Sequence, residues 1–360
     1  MKKLKWWKIP LFVIAAVLIA AAAYVAYVFI SYSRIEDNVS LPSEGNSDMA
    51  ASVGTTYTAV TYNAGFGAYT PDFTFFMDGG RESRARSEES VIECTNGVAS
   101  TALAFDPDIA LYQEVDTDST RSWHVDQAGM IKDAFAEKGA YDSVFAQNYH
   151  SAYLMYPLTS PHGASNSGIL TLSRFDITSS VRRSLPIAKG FKKILDLDRC
   201  YEISRIPVDN GKELVVINLH LSAYGSDAAQ GSAQLEMLFA DMAAEYEKGN
   251  YVICGGDFNH DFTNGSKEYF NPGTDREYAW CEPFPDDLIP GGFEKCTDYE
   301  SMMHTSRYTD VPYSEDSFVV ILDGFIISDN IECEYVQNID TGYLYTDHNP
   351  VVMRFSLKDE

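Results

Sequence analysis

Residues 251–261 read YVICGGDFNHD, an apolar run that passes through two glycines into aspartate, asparagine, histidine and aspartate. Tyr251-Val252-Ile253-Cys254 is aromatic and β-branched enough to lie inside a sheet. Glycine lets the backbone turn closely there, and four polar side chains follow at once where a neutral turn is the usual end of a buried strand. The segment is either a solvated loop or part of a site. The choice depends on whether other strands end in the same way.

Several do. Asn63 ends YTAVTYN, Glu114 ends IALYQE, His220 lies in VVINLHLS, Asp257 and Asn259 follow YVICGG, Asp323 interrupts VVILDGF, and Asp347-His348 precede the final strand. One strand-end Asp or Asn is ordinary turn or cap chemistry. A set of carboxylates, carboxamides and histidines on separate strand ends is different, because strand ends at one edge of a layered fold converge and ligand sites form there. Hard oxygen donors suit Mg²⁺, and histidines beside carboxylates suit acid–base and charge-stabilising work.

The apolar patterns predict strands over 57–62, 109–115, 143–147, 168–173, 200–206, 213–221, 251–254, 318–327 and 351–356, with helices over about 85–104, 121–138 and 229–248. In the last helix Leu235, Leu238, Phe239, Met242 and Tyr246 recur on one face and belong to a core. Residues 271–317 carry five prolines and no clear period, and read as a long loop. Nothing splits the region in two, so residues 56–358 read as one domain.

Before it, Lys2, Lys3, Lys5 and Lys8 of a short tail (1–8) precede an uncharged run from Ile9 to Ile30, long enough to span a bilayer. The lysines place the tail inside, and everything after the helix outside a plasma membrane crossed once. Trp6, Trp7 and Tyr32 fall at the two interfaces. A cleaved signal peptide is the competing reading, though the run exceeds the usual apolar core of one. Residues 31–55 read as a flexible tether. Beyond Arg34 there remain 22 basic against 52 acidic residues, −30 net, which argues against a tight nucleic-acid binder. Of six cysteines, none in zinc spacing, Cys281 and Cys296 are the expected disulfide pair, because both lie in the Pro/Gly-rich region.

In order along residues 57–357, TYNAG, YQEVD, SNSGILTLSRF, NLHLSA, GGDFNHD, ILDGFIIS and TDHNPV resemble the motifs of the endonuclease/exonuclease/phosphatase superfamily. The resemblance implies a four-layer α/β sandwich, two packed mixed β-sheets flanked by helices, preceded here by one transmembrane helix. It implies Mg²⁺ or Mn²⁺ held by Glu114 with Asn63 and Asp347. It further implies that Asp257, steered by Asn259, activates water, that His348 on its partner Asp323 contacts the phosphoryl group, and that His220 and Arg199 face the phosphate.

The expected activity is phosphodiester hydrolysis by in-line water attack, on nucleic acid, a nucleotide or a lipid headgroup. Alternatives are phospholipase C- or sphingomyelinase-like action, phosphomonoester hydrolysis, or an inactive membrane-tethered binding module. Arg81, Arg84 and Arg86 form the one basic cluster of the acidic part and are either a solvated helix start or a phosphate clamp. Asn166 is a further substrate candidate. His150 and His162 read as loop histidines that could line the cleft, and His260 and Asp261 as loop structure or edge contacts. No protein partner is indicated.

Overall fold

The computed structural model describes residues 6–31, 33–187, 198–222, 228–274 and 281–359. Lys2, Lys3, Lys5 and Tyr32, invoked above for topology, lie outside them. Two mixed sheets form the body. In spatial order the first comprises 39–41, 179–184, 200–207, 213–220, 251–257, 323–328 and 293–296, and the second 331–338, 351–357, 56–63, 109–116, 163–173 and 142–154.

Each sheet is antiparallel except for one central parallel pair: Glu213–His220 with Tyr251–Asp257 in the first, Thr56–Asn63 with Ile109–Asp116 in the second. A parallel pair needs a crossover, supplied by the helices Ala228–Tyr246 and Glu88–Leu103. These two crossovers position the site. The four parallel strands bring Asn63, Glu114, His220 and Asp257 to one edge at their C-terminal ends. The antiparallel neighbours Asp323–Ser328 and Val351–Leu357 begin at that edge, with Asp323 opposite Asp257 and Asp347-His348 just ahead of Val351.

Between the sheets pack Ala59, Leu111 and Met353 from one side and Val216, Ile253 and Phe325 from the other. Leu235, Leu238, Phe239 and Met242 cover the outer face of the first sheet, while Val98, Ala102, Ile131 and Phe135 cover the second. The result is the expected four-layer sandwich. Near the site edge the inter-sheet space turns polar: Gln113 Nε2 donates to Asn218 Oδ1 at 2.9 Å, Asn218 Nδ2 donates to Thr171 Oγ1 at 3.2 Å, and Thr171 Oγ1 donates to Glu202 Oε2 at 2.7 Å. Each of these bonds crosses from one sheet to the other.

Gly256 explains half of the glycine pair. Its φ is +147°, and a Cβ there would stand 2.1 Å from the Leu219 carbonyl oxygen, so a side chain would force the parallel strands apart. It sits within a strand, not in the turn its sequence suggested.

Other elements depart from expectation. The 121–138 helix is Gln127–Ala136, capped by the Asp126 carboxylate accepting from Gly129 N, and the 85–104 helix is Glu88–Leu103 behind a Ser87 cap. The 318–327 run breaks into Val319–Val320, paired with Ser306–Arg307, and Asp323–Ser328. Ser179–Ser184, Phe293–Cys296 and Ile331–Asn338 are strands with no counterpart in the apolar pattern. All are lateral in their sheets with a side toward solvent, where polar residues are tolerated.

Two expectations are corrected. Residues 31–55 are not a loose tether: Val39–Leu41 pairs with Ser179–Ser184, Ala51 is buried and its N–H donates to Pro207 O at 2.9 Å, and the buried Arg182 guanidinium donates to Glu36 O. Polar composition concealed a segment whose backbone is satisfied by a sheet edge. The disulfide joins Cys296 to Cys333, not to Cys281. Cys296 and Cys333 end up opposite each other on edge strands of the two sheets, whereas Cys281 is buried against Phe318, Val320 and Leu322. At the N-terminus, Ile9–Ser31 is a helix long and apolar enough to cross a membrane.

Candidate active site

A cavity of about 800 Å³ opens at the converging strand ends. The strand Ile109–Asp116 reaches it through a bulge between Tyr112 and Val115, which turns consecutive side chains to different destinations. Gln113 enters the inter-sheet space, while Glu114, at φ +52°, is aimed into the cavity. A non-glycine residue in left-handed conformation beside a cleft is strain of the kind that serves function.

Asp257 is the hub. Its Oδ2 accepts from Asn63 Nδ2 at 3.0 Å, and its Oδ1 accepts from the Asn259 backbone N–H at 2.9 Å. His220 Nε2 lies 3.3 Å from Oδ2, and His348 Nε2 lies 3.7 Å from it. Burial, then the neighbouring charge of Asp323, pushes the Asp257 carboxyl up to about 7. It can therefore take a proton near neutral pH.

The two histidines differ in charge. His348 Nδ1 is 2.8 Å from Asp323 Oδ2; burial opposes its protonation, but Asp323, Asp257 and Asp347 overcome it and raise the imidazole to about 10. His220 is buried beside Arg199, His348 and Arg121, and its pKa lies well below the ordinary value. One cationic and one neutral imidazole thus flank one carboxylate.

Asp347 is raised to about 6 by burial and by the charge of Glu114. Two carboxylates that repel each other at the cavity wall form a donor set that fits a hard divalent cation. Asp257, Asp323 and His348 also lie close enough together to hold a metal, but Asp323 and His348 are already hydrogen-bonded to each other, so Glu114 and Asp347 are the better-suited ligands. Asn63 braces the hub: its Nδ2 is committed to Asp257 and its Oδ1 accepts from Gly65 N, which leaves one lone pair of that oxygen for a cation. Asn259 likewise steers Asp257 through its backbone at φ +50°, its side chain donating instead to Leu221 O.

Arg199 lines the cavity together with two arginines that the sequence patterns did not single out, Arg121 and Arg307. Arg121 is clamped bidentately by Asp116 at 2.8 and 3.0 Å and lies over the Phe66 ring. Arg307 donates from Nη2 to Thr70 O, while its buried Nε and Nη1 have no hydrogen-bond partner among the described residues. Arg121 sits in a single 3-10 turn, Thr120–Ser122, and Arg307 in the two-residue strand Ser306–Arg307, both too short for periodicity to carry a signal. The only hint was an arginine inside a polar stretch, DSTRS or HTSRY.

The expected basic cluster is elsewhere. Arg86 is paired with Asp72 and Glu82, and Arg84 lies over Trp123 at 4.9 Å; neither these nor Arg81 borders the cavity. Asn166 donates to Asp118 O and accepts from Gln147, a brace outside the cavity. His162 does border it, with Nδ1 on Ser83 O at 2.7 Å, whereas His150 faces Asp198. Asp261 accepts from Ser266 and Lys267 at a helix start, and His260 is held to Phe258 O, both loop structure.

A family model described as the endonuclease/exonuclease/phosphatase family matches residues 60–312. The chain belongs to that family. Among curated proteins no sequence match is found. Solved structures with the same fold include an endonuclease/exonuclease/phosphatase from Beutenbergia cavernae DSM 12333, 16% identical, with a TM-score of 0.59 over 84% of this chain and 72% of that one. ANGEL2, a 2′,3′-cyclic phosphatase in complex with adenosine-2′,3′-vanadate, is 13% identical, with a TM-score of 0.55 over 89% and 99%. D. rerio TDP2 with a single-stranded DNA product is 12% identical, with a TM-score of 0.53 over 84% and 99%. At these identities the likeness shows how this endonuclease/exonuclease/phosphatase member is folded.

Proposed function

We propose that this chain is a membrane-anchored, divalent-metal-dependent phosphodiesterase. The observation that carries the reading is the Asp257 hub, a buried carboxylate with a pKa near 7 fixed by Asn63 and the Asn259 N–H, flanked by a cationic His348 and a neutral His220. A phosphodiester is anionic and repels an incoming nucleophile, so its hydrolysis requires charge neutralisation, an aimed water and compensation of the leaving oxygen.

Asp257 takes the proton of the attacking water. His348, held by Asp323, and the cavity arginines Arg121, Arg199 and Arg307 offset the negative charge on the non-bridging oxygens. His220, neutral at Nε2, sits between Asp257 and Glu114, where it orients water or a phosphoryl oxygen. Glu114 and Asp347 would hold Mg²⁺ or Mn²⁺, which supplies Lewis-acid polarisation when bound. Ser306 Oγ lies 3.4 Å from His348 Nε2 at the cavity wall, but an imidazole kept cationic by Asp323 has no lone pair to take the hydroxyl proton, which supports direct attack by water.

The test is hydrolysis of bis-p-nitrophenyl phosphate by the purified chain with and without Mg²⁺ or Mn²⁺. Asp257→Ala and His348→Ala are each expected to lower kcat by about 100-fold or more, the range for removing an acid–base or charge-stabilising group. Absence of metal-dependent turnover on any phosphodiester, soluble or lipid, would overturn the reading.

A further inference from the structure

The cavity has two chemically different ends. Its floor is the polar cluster just described. Its mouth is apolar, and part of that wall is the N-terminal helix itself: Tyr24, Val25, Val28 and Phe29 border the same cavity as Asp257 and His348. The helix is docked there by directional bonds. Tyr24 Oη donates to Tyr153 O at 3.2 Å and accepts from Met155 N at 2.9 Å, and Tyr27 Oη accepts from Tyr153 N at 3.2 Å. These atoms belong to the end of the strand Asp142–Leu154 and the turn that follows it.

Depth along the helix locates this contact. Ile9–Ser31 at a rise of 1.5 Å per residue is ~34 Å long, close to the ~30 Å hydrocarbon core of a bilayer. Tyr24 lies seven residues before Ser31, so the turn bonded to it reaches ~10 Å down from the outer end of the helix. Along that turn Met155 is 47% exposed, Tyr156 69% and Leu158 81%. Large apolar side chains left bare in a cluster mark a surface that meets something apolar. Beside a helix of membrane length, that something is the bilayer interface, where tyrosines are favoured. The segment 36–53, packed along the sheet edge, fixes the distance between helix and domain, so the cavity mouth is held at this level.

We propose that the substrate is a phosphodiester-bearing membrane lipid, drawn from the leaflet at the C-terminal end of the helix, and that the helix forms one wall of its site. This deepens the phosphodiesterase reading and rests on it and on a retained helix. The headgroup phosphate reaches the polar floor while the chains stay between helix and turn. A water oxygen bonds to phosphorus, one phosphorus–oxygen ester bond breaks, and the leaving oxygen is protonated, giving a phosphomonoester and an alcohol.

The test uses the full chain reconstituted in vesicles of phosphatidylcholine, phosphatidylethanolamine, phosphatidylglycerol and sphingomyelin with Mg²⁺, with bis-p-nitrophenyl phosphate as the soluble arm. Phosphorus NMR of the lipid products is the readout. The parent hydrolyses both. Met155→Asp combined with Leu158→Asp, both outside the cavity, is expected to cut the lipid rate by about ten-fold or more while the soluble rate stays within about two-fold, because carboxylates are expelled from the interface. Soluble turnover without any lipid product, or a lipid rate unaffected by the double variant, would overturn the lipid proposal alone. Loss of both rates in equal measure would also overturn it. A parent that hydrolyses neither substrate would overturn the phosphodiesterase reading beneath it.

Discussion

Glu202 offers a quantitative test of the packing described above. Its carboxyl is fully buried in the first sheet, accepting from Thr171 Oγ1 at 2.7 Å and from Ser204 Oγ. Burial outweighs these hydrogen bonds and raises its pKa from 4.5 to about 7. A carboxyl raised on folding holds its proton more tightly in the native state. Its contribution to stability is therefore full below pH 4.5 and is lost as the pH climbs through 7. At 1.36 kcal/mol per unit, the loss is about 3 kcal/mol. Glu202→Gln keeps the shape and an acceptor for the hydroxyls but cannot ionise. The expected result is a variant close to the parent at pH 4.5 and more stable by up to about 3 kcal/mol at pH 8, up to about 5 °C in Tm for a domain of this size. Thermal unfolding of the detergent-solubilised chain, followed by circular dichroism at pH 4.5, 6 and 8, measures it. Asp257 and Asp347 are also raised and tilt both curves alike, so the readout is the difference between parent and variant. A difference that does not grow with pH would refute the assignment of a buried, protonated Glu202.

Two further outcomes follow from the geometry. Gly256→Ala places a methyl group against the Leu219 carbonyl at a left-handed φ and should cost about 3 kcal/mol or more, with diester hydrolysis falling as Asp257 moves; an unshifted melting curve would contradict this. Native, non-reduced protein should expose no thiol to a maleimide probe, since Cys94, Cys200, Cys254 and Cys281 are buried, and four after denaturation without reductant. Six after denaturation would deny the Cys296–Cys333 bond.

The sequence reading reached furthest where a polar residue closed an apolar strand. Asn63, Glu114, His220, Asp257, Asp323, Asp347 and His348 meet because each sheet contains one parallel crossover and its antiparallel neighbours begin at the same edge; the local patterns show the strand ends, while strand direction is set by the pairing. Arg121 and Arg307 escaped because their segments have no period, and only packing against Asp116 or Thr70 brings them to the cavity. For Arg84 and Arg86, read either as a solvated helix start or as a clamp, the structure favours the first: charge is visible in a sequence, but its pairing with Trp123, Asp72 and Glu82 is not. The segment 31–55 and the Cys296–Cys333 bond depend on sheet edges whose order no local pattern encodes.

Finally, the Gln113–Asn218 bond bears on more than its own energy. Two apolar sheet faces in contact set how far apart they stand but tolerate sliding, since one methyl group replaces another with little loss. A directional amide pair at the seam has a single satisfied alignment and leaves two buried dipoles stranded in any other. It acts as a dowel between the layers. Because Glu114 rides on one layer and His220 and Asp257 on the other, the offset it pins is also the spacing of the reactive groups.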